Sequence, residues 1–361
     1  MAKKTPPPPS SSEAIVSPPA GLEPPRIKRI YRWDLDKTYL QTEFDTLRQL
    51  VKTAFQKAAE KKAVPGAAAL IRELKATGDA RLCIVSGSPT QMRTVLAEKL
   101  KLDGVEFDEL VLKDNLRNLV RGRFKAMRGQ VGYKLPVLLE SRSRAPTDTE
   151  EVLFGDDAEA DAFIYSLYAD MVARRVSEPV VYRVLEAAEV YPDDIERVME
   201  QWKHIPPADP VRRIFINLDR LTPPAAFSRY GPRVVPIFNY FQAALVLLGD
   251  KHLTAPQVLR VMIELVQTAG YNLLTLSNSF QDLLRRGLPI GDVAQALVEA
   301  LQGPAAMFQA VRPVPDIIAA FSKRVVALGA QPAPVKARDI DYLSLLDDAR
   351  PRTHKKRKRY D

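Results

Sequence analysis

Asp34-Leu35-Asp36-Lys37-Thr38 follows the short segment Ile30-Tyr31-Arg32-Trp33, and it sets two carboxylates two residues apart with a hydroxyl two further on. Residues i and i+2 of an extended segment point the same way, so a strand ending here presents both acids at its carboxyl edge. Open α/β sheets place their ligands at that edge. One acid suits a nucleophile and the other a general acid/base, while two adjacent anions repel unless a cation joins them. Short acidic triplets are common on surfaces, so the reading depends on the rest of the chain.

Three later segments complete it. Leu82-Cys83-Ile84-Val85 is a short apolar run that ends in Ser86-Gly87-Ser88-Pro89. A hydroxyl and glycine-flanked backbone N–H groups at a strand end suit the non-bridging oxygens of a phosphate. Lys134 follows Gly132-Tyr133 and leads an apolar stretch, Leu135 to Leu139, which reads as the start of a helix. Val152-Leu153-Phe154 then runs into Gly155-Asp156-Asp157-Ala158-Glu159-Ala160-Asp161, a strand followed by converging acids. The four segments together supply a nucleophile, a phosphate-binding hydroxyl, a neutralising cation and metal-binding carboxylates. Phosphoryl transfer needs these parts, because stabilising the equatorial oxygens is most of the catalysis.

Around the motifs the chain alternates strand and helix. Helices are expected over Phe44 to Lys61, Ala67 to Lys75, Thr90 to Leu100 and Ala158 to Arg174, with a strand over Phe107 to Leu112. The alternation implies an α/β fold, a doubly wound parallel sheet with helices on both faces, over residues 26–222. Two helices, Pro179 to Val190 and Pro192 to His204, each open with a proline and form an insertion near 177–204 before a last strand, Arg213 to Leu218. From 233 to 330 the chain reads as an all-helical C-terminal module. Its helices run from Val234 to Gly249, Ala255 to Gly270, Leu273 to Arg286, Ile290 to Leu301 and Pro315 to Leu328, with glycines at or just past their ends. Residues 1–25 are rich in Pro and Ser and read as disordered, as do the linker and basic tail at 331–361.

Composition narrows the function classes. Cys83 is the only cysteine, which excludes disulfides within the chain and points to a reducing, cytoplasmic setting. Three histidines without ligand spacing argue against zinc. No run approaches the roughly 20 apolar residues of a membrane span, and the N-terminus lacks a signal-peptide apolar region. The net charge is +9, but residues 350–361 hold seven Lys/Arg against Asp361, so most of the excess sits in the tail. A run such as Lys355-Lys356-Arg357-Lys358-Arg359 suits acidic lipid headgroups or nucleic acid, and equally an unspecific solvated tail.

The order of DxDxT, strand-Ser, Lys and GDDxxxD resembles the haloacid dehalogenase superfamily of magnesium-dependent phosphatases. More narrowly, Ser86-Gly87-Ser88-Pro89, the Lys134 segment and Gly155 to Tyr165 are similar to the catalytic domain of the actin-patch-associated phosphatidate phosphatase family. That family's last motif typically reads GDSGEKDPEIY, so Gly155, Asp156, Glu159, Asp161, Ile164 and Tyr165 match position by position. Leu110 to Asp114 is similar to its apolar-basic-acidic run before the lysine. The resemblance covers residues 26–222. Among the departures from it, Lys37 stands where the family usually has Asp, and Asp157 where a serine is common. In addition, Lys28, Arg29 and Arg32 precede Asp34, although a central parallel strand is normally apolar. Either that strand is short or its basic side chains reach an exposed end.

The resemblance implies roles. Asp34 is the expected nucleophile, forming an aspartyl-phosphate, and Asp36 the acid that protonates the leaving group and then activates water. Mg²⁺ is the expected cofactor, with Asp34, Asp36, Asp156, Asp157 and Asp161 as candidate ligands; Asp157 and Asp161 are alternatives for the same task. Thr38, Ser86, Gly87 and Lys134 are expected to hold the phosphoryl group, with Lys134 also offsetting the acids. The intervals between motifs leave no room for a large cap domain, which implies an open site. Seven Lys/Arg against one acid between Lys113 and Lys134 suit an anionic surface beside it. The leading substrate is a phosphatidate-like lipid at an anionic membrane; the alternatives are a nucleic-acid end, a phosphoprotein, or a non-catalytic binding protein of the same fold. Intact Asp34 and Asp36 favour chemistry. The scarcity of aromatics in the basic stretch, Phe124 and Tyr133 only, disfavours nucleic acid.

Overall fold

The computed structural model describes residues 26–41, 62–113, 123–328 and 339–349. The expected helix from Phe44 to Lys61, residues 1–25, residues 114–122 of the basic stretch, residues 331–338 of the linker and the tail from 350 lie outside these residues. Tyr342–Ala349, expected within the disordered linker and tail, is instead a helix that buries Tyr342 and Leu346.

Six strands form one sheet: β1 (Arg29–Asp34), β2 (Ala80–Pro89), β3 (Glu109–Lys113), β4 (Glu150–Asp156), β5 (Val211–Asn217) and β6 (Val234–Ile237). Their order is β3-β2-β1-β4-β5-β6 and every neighbouring pair is parallel. Parallel pairing requires crossovers, and helices supply them. In chain order these are α1 (Ala67–Lys75), α2 (Arg93–Leu102), α3 (Arg123–Ser143), α4 (Asp161–Val172), α5 (Glu178–Ala187) and α6 (Pro192–Lys203). After β6 come α7 (Tyr240–Gly249), α8 (Ala255–Ala269), α9 (Leu273–Arg285), α10 (Val293–Gln302), α11 (Val314–Leu328) and α12 (Tyr342–Ala349).

Strand side chains alternate between two cores. Tyr31, Trp33, Val152, Phe154 and Phe215 pack with α1, α2 and the helices from α7 to α11, whereas Leu153, Ile214 and Ile216 pack with α3 to α6 and α12. Both faces are therefore covered, as the doubly wound expectation requires. Trp33 and Phe154 stack at 3.7 Å between ring centroids, which ties β1 to β4 beneath the site. The helices that follow β6 do not stand apart from the sheet. One apolar cluster runs from Tyr31 on β1 to Phe321 on α11.

Three further expectations change. The helix expected from Val234 begins instead at Tyr240, because Val234–Ile237 pairs with Ile214–Asn217 as a sixth strand. Asn239 separates the two by accepting a hydrogen bond from Gln242 N, an N-cap that ends the extended segment. Lys134 lies well inside α3 rather than at its start; Gly129, Gly132 and Pro136 all sit within that helix. Finally, β1 is neither short nor open at Arg32. Arg32 is buried and grips Glu151 of β4 through Nε at 2.8 Å and Nη2 at 3.1 Å, and it also donates to Ser141 Oγ at 2.7 Å. Tyr168 donates to Glu151 at 2.7 Å, and Arg142 approaches it at 3.3 Å. A buried arginine is tolerated here because its fork meets a carboxylate in two places.

Candidate active site

The strand order reverses between β1 and β4, and the crevice at the carboxyl ends of those two strands is where such sheets bind ligands. Asp34 ends β1 and Asp156 ends β4. The chain turns sharply after Asp34: Tyr39 N and Leu40 N both donate to Leu35 O, and Lys37 takes a positive φ of 60°. Distant residues brace this turn. Asn217 Nδ2 donates to Lys37 O at 2.8 Å, and Tyr240 Oη donates to Thr38 O at 2.5 Å. Thr38 Oγ1 then donates to Asp34 Oδ2 at 3.2 Å and approaches Asp156 Oδ2 at 3.5 Å. The side chain of Lys37 leaves the crevice for Asp219, 3.9 Å away.

Lys134 reaches the same point from α3. Its ammonium lies 2.8 Å from Asp34 Oδ1, 2.9 Å from Glu159 Oε2 and 2.5 Å from Asp161 Oδ1. Lys134 donates hydrogen bonds to Glu159 and Asp161 and forms an ion pair with Asp34, so in this arrangement it neutralises all three acids. Asp156 is fixed from its own loop: Ala158 N and Glu159 N donate to Oδ1, while Asp156 N donates to Asp161 Oδ2.

Asp36 stands apart, held by two serines. Ser86 Oγ and Ser88 Oγ each donate to its Oδ2 at 3.0 Å, and Ser88 N donates to Ser86 Oγ. Gly87 lies between them, half-buried, where the β2–β3 register shifts between Ser86 and Pro89. Asp157 does not join the other acids. Its carboxylate accepts from Arg220 N at 2.8 Å and Thr222 N at 2.9 Å, clamping the loop after β5. Of the alternatives for the last acid position, Asp161 is the one brought to the cluster. Glu159 joins it too, although no role is expected for it from sequence; its place in the matched motif is the available signal.

Burial and mutual repulsion shape the protonation of this site. Burial pushes the Asp34 carboxyl well up; Lys134 opposes this, and Asp161, Glu159 and Asp156 add to it. Asp156 and Asp161 are raised as well, first by burial. Burial works against the charge on Lys134, yet Asp161, Asp34 and Glu159 outweigh it and raise its pKa well above the ordinary value. Asp36 is raised by burial and by the charge of Glu159, against the serine hydrogen bonds.

Asp34, Asp156, Glu159 and Asp161 each offer an oxygen, and these oxygens lie within 4.8 Å of one another. Asp34 Oδ1 is buried and, beyond its ion pair with Lys134, has no hydrogen-bond partner among the described residues. Four carboxylates against one ammonium leave excess negative charge, and an all-oxygen donor set suits a hard divalent cation. The residues present therefore fit a metal such as Mg²⁺. By contrast, Cys83 has no part in the site: it is a free, buried thiol, pushed up to about 11 by burial.

Residues 33–182 match a family model described as phosphatidate phosphatase APP1, catalytic domain. That stretch is less than half of the chain, yet it contains every site residue expected from the sequence. It stops within α5, so β5, β6 and all later helices lie outside it. No curated protein matches the chain.

Proposed function

We propose that this protein is a magnesium-dependent phosphatase of the haloacid dehalogenase type that removes phosphate from a phosphatidate-like lipid. The observation that carries the reading is that the matched stretch and the acidic cluster coincide, with Asp34, Asp156, Glu159, Asp161 and Lys134 meeting at the strand switch point. Asp34 would attack phosphorus with one carboxylate oxygen as the bond to the leaving alkoxide breaks, giving an aspartyl-phosphate. Asp36, whose raised pKa favours the protonated form, would donate its proton to that alkoxide. It would then take a proton from the water that attacks phosphorus, which releases inorganic phosphate and restores Asp34.

Lys134 would hold Asp34 in one orientation and offset the neighbouring acids. Ser86 and Ser88 would position Asp36, and Thr38 would orient the second oxygen of Asp34. Mg²⁺, held by Asp34 and Asp156 with help from Asp161 or Glu159, would neutralise charge on the phosphoryl oxygens.

No helix among the described residues is long and apolar enough to cross a membrane. In this reading the enzyme meets its lipid from the cytoplasmic side as a peripheral protein. The basic tail would add attraction to an anionic leaflet of about 1 kcal/mol per Lys or Arg near the surface. Phosphate release by purified protein with Mg²⁺, from phosphatidate-containing vesicles and from a soluble aryl phosphate, tests it. Release from neither substrate would dismiss the reading.

A further inference from the structure

The loop after β5 carries a leucine in a costly place. Leu221 is 74% exposed and has φ 55°, in the left-handed region that favours glycine or asparagine. Among the described residues its side chain belongs to neither apolar core. The turn is nonetheless held firmly, because Asp157 accepts from the backbone N–H of Arg220 and of Thr222, one on either side of Leu221. Lys37 adds an ion pair to Asp219. Lys37 and Asp157, each next to a site acid in the chain, thus both hold this one turn.

The turn stands at the mouth of the crevice. Asp157 directly follows Asp156, and Lys37 lies between Asp36 and Thr38. Leu218 N donates to Ile237 O, so the turn sits beside the end of β6, where Phe238 is 44% exposed. Near Phe238, Asn239 Nδ2 donates to Ser279 Oγ of α9, and just past the end of that helix Arg286 donates to Pro236 O. The first turn of α9 therefore projects beyond the sheet edge, and it carries Leu274 at 65% exposure. Arg220 is also exposed beside Leu221.

We propose that the Asp219–Thr222 turn, with Leu221 at its tip and Phe238 and Leu274 flanking it, rests on a lipid bilayer and sets the catalytic crevice against the headgroups. Exposed apolar side chains flanked by a basic one are what an interfacial contact requires. The proposal rests on the lipid-phosphatase reading for its occupant: a substrate whose phosphate enters the crevice keeps its acyl chains in the bilayer, so the crevice rim must meet that surface.

The test uses full-length protein, the double variant Leu221→Asn/Phe238→Ser, and phosphatidylcholine vesicles with and without phosphatidate. Asparagine accepts the left-handed backbone, so the melting temperature should not fall through Leu221→Asn. Flotation with vesicles should drop by about tenfold in the double variant, the scale of two partly buried apolar side chains. Hydrolysis of vesicle-borne phosphatidate should fall with it, while hydrolysis of a soluble aryl phosphate stays at the wild-type rate. Unchanged flotation, absence of wild-type flotation, or equal loss on both substrates would each overturn the contact. Wild-type protein that floats through these residues but releases no phosphate would instead sink the phosphatase reading alone.

Discussion

A Cβ on Gly155 would lie 2.5 Å from the Cβ of Asp161 and 2.4 Å from its Oδ2. The glycine of the GDD motif is therefore required for room: it lets the start of α4 close onto the end of β4. That approach brings Asp161 within reach of both Asp156 N and Lys134. Gly155→Ala should push Asp161 away, cost about 1–3 kcal/mol of stability as overpacking does, and abolish phosphate release. Denaturant unfolding together with a phosphate assay checks this. Wild-type values in both would show that Asp161 tolerates displacement.

Asp34→Asn should stabilise the metal-free protein. Burial, with repulsion from Asp161, Glu159 and Asp156, raises the Asp34 pKa despite Lys134. An acid with a raised folded pKa loses its proton first in the unfolded chain, so rising pH favours unfolding until the folded pKa is passed. The stabilisation by the variant should thus grow as pH rises above the ordinary carboxylate value of 3.8 in the presence of chelator, and Mg²⁺ should shrink it. Urea unfolding across that range measures it; a gain independent of pH would count against the charge repulsion argued here.

Glu151 answers pH with the opposite sign. Burial works against its charge, but Arg32, Arg142 and Tyr168 outweigh that and hold its pKa below the usual 4.5. Its contribution is present above that value and is lost as pH falls through the lower folded pKa. Glu151→Gln leaves Arg32 buried without a counter-charge and should cost about 3–5 kcal/mol. Its unfolding should also be less sensitive to acid below about pH 4.5 than that of wild type. Equal acid sensitivity would place the acid-labile group elsewhere.

Chelation should abolish phosphate release, with Mg²⁺ but not Zn²⁺ restoring it, since the cluster offers only oxygen ligands. A ligand that binds only the folded state raises its melting temperature by mass action. Mg²⁺ should do so for wild type and not for Asp156→Ala. Full activity after exhaustive chelation would contradict a metal requirement.

The motifs are legible in the sequence because a buried parallel strand reads as an apolar run, and here each such run ends in a site residue: Trp33 before Asp34, Val85 before Ser86, Phe154 before Gly155 and Asp156. Features that depend on partners far away in the chain are not legible. Arg32 looks misplaced because nothing nearby announces Glu151, 119 residues on. Asp157 looks like a ligand because its true partners are the backbone amides of Arg220 and Thr222, which carry no sequence signal. The strand Val234–Ile237 reads as part of the helix after it because both are apolar, and only the cap at Asn239 divides them.

The central claim is that Asp34 performs the chemistry. Wild-type protein and Asp34→Asn, assayed side by side with Mg²⁺ on phosphatidate-containing vesicles, test it most directly. The account predicts sustained phosphate release by wild type and background release by a variant that stays folded. Release by the folded variant close to the wild-type rate would contradict it.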